Sequence, residues 1–305
     1  MNKKILSLAV AAAMAAPMVA QADVKVSGAI QREMLNVEGF GLIGGDFGTS
    51  KLNFDFADGD VFGRVAWDIR QNYMMVNTMA LAPTTSGGST LVSTTGTPLV
   101  QREQYAGVKV GGGQIMLGRI ANLSSKVIYG ADSLNATFLE ARGAAGGTTK
   151  VSSFDSGMVQ FGMKAGDVAF DVAYGPAYSD MTGAENPMQA SASFKAGPAD
   201  VAIAYDKDAG GGDTTAISGK MKFGDVSVAL LGESDSAAKT NVFADVSMPV
   251  GGMTLDVGLG TNTDASTTWY RLAVVKKMGK GRVFAGYSNP DGGPARTGLG
   301  VTVGF

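Results

Sequence analysis

The residue types that most often carry out catalysis are absent from this sequence or poorly spaced in it. It contains no histidine and no cysteine, which excludes a Ser-His-Asp triad, thiol chemistry and cysteine zinc sites. Asp206, Asp208 and Asp213 lie among glycines as in a calcium loop, but their spacing and the lack of a closing glutamate favour a solvated loop. The sequence therefore predicts no enzyme, no cofactor and no metal site.

The remaining charged side chains could act on a solute through their electric field. Residues 120–149 carry the acids Asp132 and Glu140 together with an apolar patch between Val127 and Leu139. The patch would let this segment pack against a wall while its charges stay in water. Acids that face basic side chains across a narrow aqueous passage orient dipolar solutes and set ion preference. Such a role requires elements that build the passage.

Most of the chain alternates apolar and polar residues, which is the pattern of β-strands. In residues 61–70, VFGRVAWDIR, the side chains of Val65 and Trp67 share one face and those of Arg64 and Arg70 share the other. A period of two predicts strands. After residue 22 there is no apolar run of roughly 18 residues or more, so the sequence predicts no membrane-spanning helix. The chain is predicted to be all-β.

Short turns and longer connections alternate between these strands. Sixteen antiparallel strands need seven turns and eight loops if both ends of the chain lie on the short-turn side, and this is the number found. Tight turns fall at 57–60, 111–113, 165–167, 197–200, 223–225, 249–252 and 279–281, and longer connections fall near 36–47, 73–98, 120–149, 176–186, 208–213, 234–239, 261–267 and 289–295.

An alternating chain with an even number of strands can bury its apolar faces in two ways. A soluble sandwich turns them into a core, whereas a transmembrane barrel turns them towards lipid and its charges towards the lumen. Uniformly short turns on one side, a charged content of only 17% and the absence of a linker favour the barrel. Sixteen strands enclose a water-filled channel, which residues 120–149 are placed to narrow.

The beginning of the chain has the features of a cleaved secretory signal. Lys3 and Lys4 precede an apolar run that is too short to span a bilayer, and Ala20-Gln21-Ala22 forms a small-residue cleavage site. The sequence predicts a leader over residues 1–22 and a single barrel domain over residues 23–305. The formal net charge of −2 argues against a nucleic-acid partner, which would require a basic surface.

Four stretches resemble the general diffusion porins of Gram-negative outer membranes. REQYAGVKVGGGQIMLGR (102–119) is similar to the stretch before their constriction loop, and the others are VKVSGAIQ (24–31), SKLNFDF (50–56) and the last strand, ending in Phe305. The resemblance implies an outer-membrane homotrimer of 16-stranded barrels, with short periplasmic turns, longer extracellular loops and the third loop folded into the lumen. It also implies passive diffusion of ions and small hydrophilic solutes.

In this family, basic side chains on the barrel wall face acids on the third loop. Ala29 departs from the pattern because many relatives carry a lysine there, and the loop lacks their Pro-Glu-Phe-Gly-Gly turn. Arg64 is left out because neither wall acid is placed beside it. By position, the resemblance assigns Lys51, Arg102 and Lys150 to the basic wall, with Asp132 and Glu140 as the acids of the loop. Arg70, on the charged face of its strand, is a further candidate for the lumen.

The resemblance also implies partners. Phe305 matches the terminal aromatic residue that the outer-membrane assembly machinery reads in this family, and the remaining partners are outer-membrane lipid and lipopolysaccharide. The alternatives are a channel with a preferred anion or sugar, a barrel hydrolase with an unusual Ser-Lys or Asp-Asp pair, and a soluble adhesin. Net charge favours cations whereas the basic wall favours anions, so the sequence does not determine ion preference.

Overall fold

A computed structural model describes residues 23–39, 41–45, 50–69, 99–134, 137–140, 154–175, 185–208, 212–236, 240–264, 266–290 and 294–305. Within these ranges the chain forms strands and one short helix, and none of its helical structure is long and apolar enough to cross a membrane. The strands are β1 (Asp23–Val37), β2 (Gly41–Gly45), β3 (Lys51–Asp58), β4 (Val61–Ile69), β5 (Leu99–Val110), β6 (Gly113–Ala121), β7 (Phe154–Ala165), β8 (Val168–Tyr174), β9 (Met188–Ala196), β10 (Ala199–Lys207), β11 (Asp213–Phe223), β12 (Val226–Asp235), β13 (Thr240–Val250), β14 (Met253–Asn262), β15 (Thr267–Met278), β16 (Gly281–Pro290) and β17 (Arg296–Gly304), and the helix is α1 (Leu123–Ala131).

The sheet closes into a barrel because its first and last strands pair. Consecutive strands are antiparallel, and residues 29–37 of β1 pair with residues 296–304 of β17. β2 and β3 both pair with β1, with Val37 opposite Gly41 and Asp23 opposite Ala57, so together they make one barrel strand in two segments. The 17 segments thus build a closed barrel of 16 antiparallel strands, which confirms the predicted fold class.

Side chains alternate between the lumen and the outer face around the whole barrel. In β15, Arg271 and Ala273 are buried inside, whereas Tyr270 and Leu272 on the outer face are 45% and 50% exposed. The large exposed apolar side chains follow the same alternation on the other strands and form a belt around the molecule. An apolar outer face with charges inside is the arrangement of a barrel surrounded by lipid.

All seven predicted tight turns are two-residue hairpin turns on one side of the barrel. In each, the first turn residue is a glycine with φ between 56° and 62°, a conformation that other residues rarely adopt. Hairpin turns that begin with such a glycine match the right-handed twist of the paired strands. The glycines are Gly59, Gly111, Gly166, Gly197, Gly224, Gly251 and Gly279.

The strand ends that the longer connections join lie on the other side of the barrel, with one correction to the prediction. The first loop was expected near 36–47, but residues 36 and 37 and the whole of β2 are paired strand. β2 is the glycine-rich segment GLIGG, whose side chains give little strand signal; its pairing rests on backbone hydrogen bonds. The loop predicted at 73–98 and the leader predicted at 1–22 lie outside the described residues.

The seam between β1 and β17 is closely packed at Gly298. A Cβ atom there would lie 2.4 Å from the carbonyl oxygen of Met34 and 2.9 Å from the Cα of Leu35. These backbone atoms cannot move without opening the seam, so we expect Gly298→Val to destabilise the barrel by about 1–3 kcal/mol. Thermal unfolding in detergent measures the loss.

Gly219→Val in β11 is the matched control for the seam variant. A Cβ at Gly219 meets no atom within 4 Å, so this substitution should leave the unfolding temperature close to that of the parent protein. Equal losses in the two variants would contradict a specific packing constraint at the seam.

Candidate channel constriction

The first half of the third loop forms α1 and lies against the inside of the barrel wall. The side-chain oxygen of Asn122 accepts a hydrogen bond of 3.1 Å from the backbone N–H of Ser125, which caps the start of the helix. Val127, Ile128 and Ala131 are buried against strands β10–β13 and β15. Three of these strands present small side chains there, namely Ala204, Ala216 and Ala229, which leaves room for the helix.

The second half of the loop continues along the wall to the seam. Leu134, Phe138 and Leu139 are at most 3% exposed and pack against residues of β1, β15 and β16. The ring of Phe138 stacks on that of Phe284, with 6.2 Å between centroids. The backbone N–H of Phe138 also donates to a carboxylate oxygen of Glu33 at 3.1 Å. The third loop is therefore folded into the lumen, and its apolar patch packs on the wall as predicted.

A buried ionic network joins the middle of the loop to the wall. The guanidinium of Arg271 lies 2.5 Å from Asp132, 2.9 Å from Asp245 and 2.8 Å from Asp256, measured between nitrogen and carboxylate oxygen. It also donates to the backbone carbonyl of Leu139 at 3.1 Å. None of the four charged side chains is more than 5% exposed. Buried charges need such pairing, because an unpaired one is costly.

Ser133 completes this network from the loop side. Its backbone N–H donates to Asp245 at 3.1 Å, and its hydroxyl bonds to Asp256. Its hydroxyl also accepts from Arg271 at 3.1 Å. Asp132, which the resemblance assigns to the constriction, thus lies between the loop and the wall and not on the open side of the loop.

Opposite the loop, strands β3–β5 carry the predicted basic residues Lys51 and Arg102. Lys51 faces inward and pairs in register with Asp68. A guanidinium nitrogen of Arg102 lies 2.9 Å from a carboxylate oxygen of Asp68. The structure therefore brings these two predicted residues together around one acid that sequence reasoning did not single out.

A β-bulge directs Arg102 into this position. The register between β4 and β5 shifts so that Ala66 lies opposite Glu103 while Trp67 lies opposite Gln101, which leaves Arg102 as the extra residue. A bulge re-aims a side chain that regular alternation would place on the other face. Arg102 and Glu103 are consecutive, yet both make ion pairs with inward-facing residues.

Arg64 also belongs to this wall, contrary to the expectation that no acid lies beside it. One guanidinium nitrogen is 2.6 Å from Asp55 and another is 3.1 Å from Glu103. Asp55 and Arg64 lie directly opposite each other across the turn at 59–60. This pair could have been predicted from the hairpin, because residues at equal distances from a two-residue turn lie opposite each other on the two strands.

Arg119, which the sequence prediction did not include, contacts Arg102 from the outward face of β6, because it pairs in register with Gln104 and lies between the inward-facing Gly118 and Ile120. It donates to the backbone carbonyl of Arg102 at 3.0 Å, and both guanidinium groups lie over the ring of Phe154, at 5.8 and 4.8 Å from its centroid. Stacking on an aromatic ring restricts the positions of both cations. The basic wall that faces the lumen consists of Lys51, Arg64 and Arg102, interleaved with the acids Asp55, Asp68 and Glu103.

Three predicted residues remain, namely Glu140, Arg70 and Lys150. Glu140 is half-buried on the loop, and its backbone N–H donates to the carbonyl of Thr137 at 3.0 Å. Arg70 and Lys150 lie outside the described residues. Their assignment to the lumen, like the constriction role of the whole set, stays a prediction.

A closed 16-stranded barrel with an apolar outer belt and an inward loop defines a transmembrane β-barrel of the porin type. The family model described as Gram-negative porin matches residues 7–302, and the chain belongs to this family. It is therefore an outer-membrane porin of a Gram-negative cell.

Solved structures share the fold at low sequence identity. A loop-deletion mutant of OmpT, an outer membrane protein of Vibrio cholerae, has 15% identity and a TM-score of 0.70, covering 93% of this chain and 100% of that one. The trimer form of OmpT has 14% identity and a TM-score of 0.65, covering 93% and 99%. A mutant of Rh. blastica porin has 14% identity and a TM-score of 0.66, covering 93% and 100%. No curated protein matches the sequence significantly.

Proposed function

We propose that this barrel is a water-filled channel through which ions and small hydrophilic solutes diffuse passively, and that it is not an enzyme. The observation that carries this proposal is that the third loop and the basic wall lie on opposite sides of the lumen. The third loop packs against β9–β16 and β1, while the basic wall on β3–β5 projects charges into the interior from the other side. A polar passage between the two is suited to hydrated solutes and unfavourable for apolar ones.

Within such a channel, the basic wall sets the field that solutes meet. Three cations alternate with three acids on the wall, and this alternation creates strong local fields across the passage. Fixed charges in a confined space raise the local concentration of oppositely charged ions. The channel is therefore expected to conduct ions of both signs.

Planar-bilayer recording tests the channel function directly. Purified, folded protein should give discrete conductance steps without added cofactor. Folded protein that inserts into the bilayer but gives no such steps would contradict the proposal.

Replacing Arg102 with serine should make the channel more selective for cations. The substitution removes one positive charge and leaves Asp68 without this ion pair. We expect the cation-to-anion permeability ratio to rise about twofold, measured as the reversal potential in a salt gradient. Lys276→Ser removes a lysine from the outer face of β15 and should not change the ratio. An unchanged reversal potential for Arg102→Ser would remove this residue from the constriction.

We also infer how the protein is made and assembled. Residues 1–22 are a leader that is removed on export, and the mature barrels associate as a homotrimer within outer-membrane lipid and lipopolysaccharide; the trimer form of the similar OmpT structure supports this. Phe305 pairs with Gly28 through backbone hydrogen bonds of 3.1 and 3.3 Å, and its ring covers that glycine. It is 49% exposed and therefore accessible to the assembly machinery.

A further inference from the structure

A repeated lysine marks the turn side of the lumen. In five of the seven hairpins a lysine stands two residues before the turn glycine, as in KVG, KAG, KAG, KFG and KMG. Positions two residues apart on a strand share a face, and the strand register places all five on the inward face. These mouth lysines are Lys109, Lys164, Lys195, Lys222 and Lys277, and each is exposed.

The spacing of the mouth lysines makes their charges act together. Four of them lie on the alternate strands β5, β7, β9 and β11. Paired strands are about 4.8 Å apart, so neighbouring lysines of this arc are separated by roughly 10 Å. That separation is close to the screening length of about 10 Å at 0.1 M salt, so their potentials overlap.

A cleft of about 550 Å³ lies between this arc and α1. Lys164 and Lys195 line it from the wall together with Lys220, and Lys126 on the exposed side of α1 lines it from the lumen. Three serines, at 191, 193 and 218, add hydroxyl groups to the lining.

The acids in the cleft offset only part of this charge. Asp167, Asp171 and Asp200 line it, against four lysines. Asp200 lies 3.1 Å from the ammonium of Lys195, and Asp171 accepts a hydrogen bond of 2.7 Å from Gln160. The lining therefore keeps an excess of cations, with hydroxyl donors between them.

We propose that this cleft is a binding site for compact multivalent oxyanions, such as short phosphate chains, at the turn-side mouth of the channel. An anion there would contact ammonium groups from three strands and from the third loop at once. Because the mouth lysines are confined to one end of the lumen, such anions are captured more readily from the turn side than from the loop side. The inference rests on the proposed channel function.

Tripolyphosphate added to either side of a bilayer containing the channel tests this site. The chain has no cysteine, so Asp225→Cys in a hairpin turn, labelled with an impermeant maleimide, identifies which side of the bilayer the turns face. We expect half-block of the current at a concentration about tenfold lower from the turn side than from the loop side. Raising the salt to about 1 M, where the screening length is roughly 3 Å, should weaken the block strongly.

Substitution of the cleft lysines should abolish the difference between sides. Lys126→Gln, Lys164→Gln, Lys195→Gln and Lys220→Gln combined are expected to raise the half-blocking concentration from the turn side about tenfold. Lys220→Gln alone, at an exposed position, should give part of this effect and serves if the combined variant does not fold. Lys276→Gln, on the outer face, is the control and should change nothing.

The two proposals fail in different ways. Discrete conductance steps with equal block from both sides, or block that the lysine variants leave unchanged, would overturn the anion site while the channel function stands. Folded, inserted protein without conductance would instead overturn the channel function.

Discussion

Arg271→Ala is expected to detach the third loop from the barrel wall and to destabilise the folded protein by about 3–5 kcal/mol, the usual cost of removing one partner of a buried ion pair. Arg271 is the cation that directly contacts Asp132, Asp245 and Asp256, all at most 5% exposed. Without it, three buried carboxylates repel one another, and moving the loop away from the wall is the simplest way to hydrate them.

Two measurements test the prediction for Arg271→Ala. Denaturant unfolding in detergent should show the loss of stability, and single-channel recording should show a larger, noisier conductance because the loop no longer holds one position. Arg271→Lys keeps the charge but loses the planar group that contacts three acids, so it should lie between the alanine variant and the parent. Unaltered stability and conductance in Arg271→Ala would mean that the network does not hold the loop.

Leu272 follows Arg271 in β15 but faces outward, so here the addition of a charge should destabilise the protein. Leu272→Arg is expected to destabilise the barrel by about 2–4 kcal/mol, because it places a charge on the lipid face near the middle of the membrane. Leu272 is the sixth of the 12 residues of β15, points outward and is 50% exposed. Reversible unfolding from lipid vesicles measures the loss.

Ser227→Arg gives the corresponding change inside the lumen. Ser227 is half-buried on the inward face of β12, where an added arginine can remain hydrated. Its cost should therefore be below about 1 kcal/mol, by analogy with exposed charges at aqueous surfaces. Similar costs at the two positions would contradict the assignment of the apolar face to lipid.

Sequence alone predicted those parts of the fold that depend on local chemistry. A glycine at the first position of a two-residue turn has a positive φ in all seven hairpins, so the turns could be located directly. Alternation with period two then assigned the inward and outward faces. The glycine-rich β2 was missed because its pairing with β1 uses backbone groups and leaves no apolar pattern.

The candidate site was predicted less completely because its contacts are not local. Arg64 and Asp55 could have been paired by counting outward from their shared turn. Arg102 could not be placed, since a one-residue bulge in β5 decides which way its side chain points. The partners of Asp132 were also hidden, because Arg271 is 139 residues away and no periodicity links a loop acid to a distant strand.

That sequence distance has a consequence for the order of folding. The ionic contacts that hold the middle of the third loop come from Asp245, Asp256 and Arg271, which lie 112, 123 and 139 residues after their loop partners. Contacts so distant along the chain form slowly, and these three need the last strands to be in the sheet. The ionic network therefore locks the middle of the loop only once the barrel is almost complete, and until then this part of the loop is held to the wall by fewer contacts.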